Sequence, residues 1–191
     1  SPPRVSLEGR KQTRRGATTG EALVNKRELR PGVYAMGAVD WNRRLFDALI
    51  PLPEGTSYNA YLVRGAEKTV LIDTVDPDKS SVLLSQLTGV EKLDYIISHH
   101  AEQDHSGSIP HVLAKYPEAK VKCSAKCRDY LIDLLQLSED RLEVVSDGDT
   151  LDLGGKTLEF ISTPWVHWPE TFSTFLREDK VLFTCDLFGS H

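Results

Sequence analysis

The amino-acid sequence predicts an α/β fold in which helices are layered against β-sheets. The first observation is that apolar, strand-like segments alternate with segments of helical periodicity over residues 58–135. The second is a change after residue 140, where strand-like segments follow one another with only turns between them. Alternating strands and helices are typical of layered α/β folds, and consecutive strands favour an antiparallel meander.

Length and composition limit the number of domains and the classes of partner. The 191 residues are enough for one well-buried domain, and a second complete domain would be cramped. Hydrophobic residues make up 40% and charged residues 27%, which is ordinary globular usage and argues against a disordered chain or a membrane protein. The formal net charge of -5 gives little reason to expect nucleic acid or an anionic membrane as a partner.

The first segment of the chain is basic and poor in apolar residues. Arginine and lysine recur between Arg4 and Arg30 among Gly, Ser, Thr and Pro, without the apolar core of a secretory signal. We therefore predict a loosely ordered leader over residues 1–30 and a folded domain over residues 31–191.

The elements of the predicted α/β part follow in order. Strands are predicted over residues 32–37, 58–63 and 68–74, and the short connection at 64–67 indicates that the last two pair antiparallel. A helix over 78–87, with Gly89 after its end, precedes a short apolar strand at 93–98. A helix at 109–116, a strand at 119–123 and a helix at 125–135 complete this part.

The last third is predicted to be a meander of antiparallel strands. Its strand-like segments cover residues 142–145, 150–153, 156–161, 174–176 and 181–184. Turns are indicated by the Asp-Gly-Asp segment at 147–149 and by the Gly-Gly pair at 154–155.

The three cysteines indicate the redox environment. Cys123, Cys127 and Cys185 are an odd number for a disulfide framework and form no C-x-x-C pair, so a reducing, cytoplasmic location is expected. Cys123 and Cys127 fit small apolar positions at a strand end and a helix start, although a ligand pair is the alternative.

Residues 98–107 contain the densest group of metal-ligating side chains. His100, Glu102, Asp104 and His105 lie within six residues, directly after an apolar strand and before a helix. Four donor groups in so tight a loop can converge on two adjacent metal ions, which require a bridging carboxylate to offset their mutual repulsion. His167 and Asp186 follow later strands and suit the remaining positions, although alone they could be a packed histidine and a turn residue.

These motifs resemble a known family. The strand at residues 71–74 followed by an H-x-x-x-D-H loop resembles the metallo-β-lactamase superfamily, whose hydrolases mostly have H-x-H-x-D-H. Glu102 replaces the middle histidine here, and H-x-E-x-D-H resembles the diiron domain of the flavodiiron proteins. Residues 58–62, 104–107 and 186–191 are similar to further stretches of that family. The resemblance implies a metallo-β-lactamase-like αββα sandwich, truncated before its C-terminal strands and helix.

The resemblance also implies roles for individual residues. One iron would take His100, Glu102 and His167, the other would take Asp104 and His105, and Asp186 would bridge both. Carboxylate oxygens are harder donors than imidazole, so Glu102 favours iron or manganese over zinc.

Four further side chains have expected places around these ligands. Asp73 is expected to hydrogen-bond the ligand loop from the end of its strand, although a simple strand-end role fits as well. His99 should point away from the metals. Trp165 and Trp168 would either shield the metals from water or pack in the core.

The sequence departs from the family in one respect. The family's sixth protein ligand is a histidine well downstream of the bridging aspartate, followed by a flavodoxin-like domain that holds FMN, whereas this sequence ends at His191. We therefore expect a fragment, or a chain completed by a homodimer partner or a separate polypeptide, with FMN only on an absent domain or partner. His191 is not expected to be the missing ligand.

The resemblance implies a non-haem diiron oxidoreductase with two iron ions. It would reduce dioxygen to water, nitric oxide to nitrous oxide, or both, and peroxide is a further candidate substrate. Its electrons would come from a flavodoxin-like or rubredoxin-like donor. Two alternatives remain at this point, namely a zinc-dependent hydrolase of the same superfamily and a metal-poor interaction module that keeps only the fold.

Overall fold

The computed structural model describes residues 26–189 of the chain. Its strands are β1 (Arg27–Arg30), β2 (Val33–Asp40), β3 (Leu45–Phe46), β4 (Ile50–Pro51), β5 (Thr56–Arg64), β6 (Thr69–Ile72), β7 (Tyr95–Ile97), β8 (Lys120–Cys123), β9 (Leu142–Val144), β10 (Thr150–Asp152), β11 (Thr157–Ser162), β12 (Phe172–Leu176) and β13 (Val181–Phe183). Its α-helices are α1 (Ser80–Gln86), α2 (Gln103–Ser106), α3 (Ile109–Lys115) and α4 (Ala125–Leu135). Short 3-10 turns lie at Pro77–Lys79 and Glu139–Arg141. None of these helices is long and apolar enough to cross a membrane.

The first sheet has seven strands in the order β1-β2-β5-β6-β7-β8-β9. Strands β1, β2, β5 and β6 pair antiparallel, and β6, β7, β8 and β9 pair parallel. Parallel neighbours need a crossover, and helices lie between each of these strands along the chain. The carboxyl ends of β6, β7 and β8 therefore meet at one edge, where open α/β sheets usually place their ligands.

The second sheet is an antiparallel meander of four strands in the order β10-β11-β12-β13. A separate two-stranded hairpin, β3 with β4, lies between β2 and β5 in the chain. The Gly154-Gly155 pair, with positive φ at both residues, forms the turn between β10 and β11, and the turn at Gly148 leads from β9 into the meander.

Two apolar cores lie on opposite faces of the first sheet. Because successive strand side chains point to opposite faces, Leu71 lies in the core formed with helices α1, α3 and α4, while Val70 and Ile72 lie in the core shared with the second sheet. Strand β7 divides in the same way, with Ile96 on the helical side and Ile97 between the sheets. The described residues thus form helix, sheet and sheet layers of the expected sandwich.

The α/β class, the 64–67 hairpin and helix 125–135 are confirmed, but one strand was assigned to the wrong sheet. Residues 142–145 were predicted as the first strand of the antiparallel meander. Strand β9 instead extends the first sheet and pairs parallel with β8. The physical reason is that α4 packs on this sheet, so the chain returns beside β8 as a parallel crossover before the meander begins.

The predicted boundary of the basic leader is wrong at its end. Residues 27–30, assigned to the leader, form the edge strand β1, which pairs antiparallel with β2. All four of its residues are exposed, so no alternation of apolar and polar residues marks it in the sequence. Residues 1–25 of the predicted leader lie outside the described residues.

Candidate metal centre

The ligand loop begins where β7 ends and is held from behind by Asp73, one residue after β6. Asp73 has a left-handed backbone, with φ of 54°. Its Oδ1 accepts a hydrogen bond of 2.9 Å from the backbone N–H of His99, and its Oδ2 lies 2.7 Å from the His99 Nδ1. The His99 Nε2 lies 2.8 Å from the Thr174 Oγ1 on β12. Both ring nitrogens of His99 are therefore engaged, as expected of a residue that is not a ligand, and the contact expected of Asp73 is present.

Further hydrogen bonds fix the backbone of this loop. The Ala101 N–H donates to the Glu170 carboxylate at 3.1 Å, and the Ser106 hydroxyl donates to the Ala101 carbonyl at 2.8 Å. The Ser98 hydroxyl donates to the carbonyl of His100 at 2.9 Å. These bonds hold the backbone of the short loop in place, so that the side chains of its predicted ligands can face a common point.

One group of side chains forms around Glu102. The His100 Nε2 lies 3.1 Å and the His167 Nε2 lies 3.0 Å from the Glu102 Oε2. The same two nitrogens lie 3.4 Å and 2.8 Å from the Asp186 Oδ2. These four side chains offer donor atoms that all lie within 4.8 Å of one another, as one metal ion requires.

A second group lies on the other side of Asp186. The His105 Nε2 lies 2.6 Å from the Asp186 Oδ1 and 3.5 Å from the Asp104 Oδ2. Asp104 and His105 reach this position from helix α2, a single turn that differs from the loop predicted for these residues. The two oxygens of Asp186 thus face different groups of ligands, which is the arrangement of a carboxylate that bridges two cations.

The charges at this centre fit bound cations. The Asp104 Oδ1 is buried and has no hydrogen-bond partner among the described residues, and such a group is rare in native structures without a ligand. Burial, with Glu102 and Asp186 nearby, raises the pKa of Asp104 to about 6, although His105 opposes the shift. Burial lowers the pKa of His100, but hydrogen bonds with Asp186 and Glu102 raise it overall, to about 10. Without metal, protons on histidines offset the carboxylate charges, and divalent cations would take over that role.

The predicted ligand residues other than His100 line a small cavity of about 190 Å³. Its wall also contains Phe46 on the β3–β4 hairpin, the β5 residues Thr56, Ser57 and Asn59, and Cys185 and Gly189. Among the carboxylates of this cavity, Asp186 has three histidine partners, His100, His105 and His167. Burial raises the pKa of Asp186, but hydrogen bonds with His100 and His105 hold it far below its ordinary value.

The family described as ODP family beta lactamase matches residues 56–191, which include all six predicted ligand residues. The chain belongs to this family. A curated member of similar sequence is the type A flavoprotein of Rhodobacter capsulatus, 41% identical over 166 residues. That match covers 84% of this chain and 38% of the relative. The anaerobic nitric oxide reductase flavorubredoxin of Pectobacterium atrosepticum is 40% identical, over 83% of this chain and 32% of the relative.

Solved structures agree with the relationship. The flavodiiron protein from Giardia intestinalis matches with a TM-score of 0.81 and 36% identity, over 87% of this chain and 41% of that one. The rubredoxin oxygen:oxidoreductase of Desulfovibrio gigas matches with a TM-score of 0.78 and 33% identity, over 83% and 40%. This ODP family chain therefore spans about a third to two fifths of the length of these relatives.

The contact between Cys185 and two of the predicted histidine ligands was not predicted from the sequence. Its Sγ lies 3.2 Å from the His100 Nδ1 and 3.6 Å from the His105 Nδ1. Burial raises the pKa of the Cys185 thiol well above its ordinary value, and the negative charges of Asp73 and Asp186 raise it further. Its position next to Asp186 was the one signal in the sequence that could have indicated this contact.

The remaining predicted residues take simpler positions. Trp168 stands edge-on to the His100 ring at 5.8 Å, whereas Trp165 is 73% exposed and is therefore not a core residue. Cys123 and Cys127 are buried in the helical core, in agreement with the packing interpretation. His191 lies outside the described residues.

Proposed function

We propose that this chain is the diiron-binding part of a reductase for dioxygen, nitric oxide or both. The observation that carries the proposal is the position of Asp186, whose two oxygens face two separate groups of histidine and carboxylate donors. One iron would be held by His100, Glu102 and His167, the other by Asp104 and His105, with Asp186 shared. Three imidazoles and three carboxylates form a harder donor set than the thiolate-rich sites that zinc often prefers.

An iron pair in this position would supply electrons to a bound diatomic and stabilise the negative charge that develops on it. The reactions balance as dioxygen with four electrons and four protons giving two waters, and two nitric oxide molecules with two electrons and two protons giving nitrous oxide and water. The protein's own task is to hold the ligands in fixed positions and to limit the space beside them. A cavity of about 190 Å³ suits a diatomic and a few waters better than an extended organic substrate.

The choice of substrates and donors rests on the relatives. One relative is named as a nitric oxide reductase flavorubredoxin, and one solved structure as a rubredoxin oxygen:oxidoreductase. We infer that electrons reach the iron from a flavodoxin-like or rubredoxin-like donor, with FMN on a further domain or a partner chain. Three unpaired cysteines support a reducing, cytoplasmic location.

The proposal is tested by reconstitution and turnover. The metal-free chain is titrated with ferrous iron under anaerobic conditions, and dioxygen or nitric oxide consumption is then measured with a chemical reductant or an added rubredoxin reductase system. We expect iron to bind and one or both gases to be consumed at rates that fall to the background after iron is removed. Iron binding without consumption of either gas would contradict the reductase assignment, and failure to bind any metal would support an interaction module.

Glu102 separates the reductase from a zinc hydrolase of the same fold. Replacing its oxygen donor by imidazole in Glu102→His should increase the ratio of bound zinc to bound iron by about tenfold or more when both are supplied equally. Glu143→His, a substitution of a half-exposed glutamate on β9, serves as the control and should leave the ratio unchanged. If the unaltered chain takes up stoichiometric zinc and no iron, the hydrolase becomes the better assignment.

A further inference from the structure

We propose that Cys185 is a positioning residue that holds one histidine ligand of each metal through a single sulfur atom. The proposal rests on the proposed function, because it assumes that His100 and His105 bind different metals. It adds a role for a side chain that the family resemblance does not assign as a ligand and that is not part of the apolar core.

The two nitrogen atoms of each imidazole ring have different partners. The Nε2 atoms of His100 and His105 face the carboxylates, at 3.1 Å from Glu102 and 2.6 Å from Asp186, respectively. The Nδ1 atoms of both rings face the Cys185 Sγ instead, at 3.2 Å and 3.6 Å. The centroids of the two rings are only 4.9 Å apart, so a single sulfur atom can contact the Nδ1 atoms of both.

The tautomer of each histidine then follows. A neutral imidazole that binds metal through Nε2 carries its proton on Nδ1, and this N–H needs an acceptor that fixes the orientation of the ring. The sulfur is the acceptor that the structure offers to both rings. Because sulfur is larger than oxygen and forms longer hydrogen bonds, it can contact two donors that a hydroxyl at the same position would reach less well.

The Asp73 carboxylate lies close enough to accept the thiol proton. Donor atoms of Asp73, His99 and Cys185 lie within 4.8 Å of one another, and the Asp73 carboxylate is already fixed by His99. A thiol that donates to Asp73 and accepts from the two histidines would join the ligand loop, the end of β6 and the segment after β13. Cys185 and Asp73 both have left-handed backbones, with φ of 53° and 54°, which are uncommon for residues other than glycine. Such strain is often found at functional sites.

Three variants test the proposal. Cys185→Ala removes the sulfur, and Cys185→Ser replaces it with a smaller donor and acceptor. Cysteine, alanine and serine all carry a Cβ, so the backbone strain at φ 53° stays comparable in both variants. Cys127→Ala is the matched control, because Cys127 is also buried but its Sγ contacts the Ser98 carbonyl rather than a ligand. Circular dichroism and thermal unfolding of the metal-free proteins establish that each variant is folded.

Anaerobic ferrous titration is the first measurement. We expect Cys185→Ala to weaken both binding steps by about 10- to 100-fold, because outer partners of metal-bound histidines typically contribute that much to affinity. Cys185→Ser should recover part of the loss, and Cys127→Ala should bind iron like the unaltered chain. Unchanged binding in folded Cys185→Ala would overturn the proposal, and weakening of one step alone would overturn the claim that both metals depend on the sulfur.

Nitrogen-15 spectra of the histidine side chains in zinc-loaded, diamagnetic protein provide a readout that packing alone would not change. The Nδ1–H signals of His100 and His105 should shift in Cys185→Ala and remain in place in Cys127→Ala. Signals unchanged by Cys185→Ala would also overturn the proposal. If the unaltered chain binds no metal, the proposed function has failed, whereas normal metal binding with an inert Cys185 means that this inference alone has failed.

Discussion

At the scale of single residues, Asp104 illustrates how a metal centre weakens the metal-free fold. Its Oδ1 is buried without a partner among the described residues, and its carboxyl lies between other acids of the cavity. A buried polar group without a partner destabilises a fold, because the unfolded chain hydrates that group fully. Residues that violate ordinary packing rules in this way are expected at functional sites.

The first prediction concerns the pH dependence that follows from Asp104. Its pKa is raised from 3.8 in the unfolded reference to about 6 in the fold, so the folded state holds the proton more tightly. The metal-free fold therefore loses stability as the pH rises from about 4 to 6 and above. The unfolding free energy of the unaltered chain relative to Asp104→Asn should fall by on the order of 3 kcal/mol between pH 4 and 7.

Denaturant unfolding of the metal-free proteins at each pH gives this difference directly. Asp133→Asn, a substitution of an exposed carboxylate on α4, is the control and should show no comparable trend. Saturating iron should reverse the sign, because the charged carboxylate of aspartate is a stronger iron ligand than the neutral amide of asparagine. A difference that is independent of pH would show that Asp104 is not held as an acid between the other carboxylates.

At the scale of secondary-structure elements, strand β6 joins both cores to the metal centre. Leu71 packs on the helical side, Ile72 packs between the sheets, and Asp73 follows directly and holds the ligand loop. The alternation of side chains in the strand therefore fixes which way Asp73 leaves the sheet.

The second prediction compares a buried leucine with an exposed one. Leu71→Ala should lower the unfolding free energy by about 2–5 kcal/mol, because Leu71 is fully buried and truncation leaves a cavity. Leu182→Ala on β13 should change it by no more than about 0.5 kcal/mol, since Leu182 is 46% exposed. Chemical denaturation measures both, and similar losses for the two variants would contradict the layer assignment.

The sequence was sufficient for most strands and helices because their apolar periodicity reports local burial. Helix α4 agrees with its predicted bounds, and the hairpin of β5 and β6 follows from a short turn between two apolar segments. Partner choice depends on distant segments, so the sequence could not show that β9 pairs with β8. The exposed strand β1 and the hairpin of β3 and β4 lack a clear apolar pattern and were missed.

The ligand residues were easier to predict than their supporting contacts. Metal chemistry restricts ligands to a few residue types, and four of the six lie in one loop. The contact between Cys185 and two histidines joins positions 85 and 80 residues apart, and no local pattern encodes it.

At the scale of the whole molecule, the centre is assembled from three distant segments. The ligand loop follows the first sheet, His167 lies between β11 and β12, and Asp186 follows β13 of the second sheet. Asp186 therefore links the two sheets at the same point where it links the two groups of donors. Metal binding is expected to couple the sheets, since ligand positions form only when both sheets are in place.

The last prediction is that the two metals load unequally. Of the described residues, His100, Glu102, His167 and Asp186 surround one position, whereas Asp104, His105 and Asp186 supply the other. A position with fewer protein ligands leaves more of the coordination to water and binds more weakly, so the first ferrous ion should bind at least about tenfold more tightly than the second. Anaerobic titration resolves the two steps, with His167→Ala expected to weaken the tight step and Asp104→Ala the weak one. Two equally tight equivalents in the unaltered 191-residue chain, or the same effect from both variants, would show that the described donors do not divide in this way.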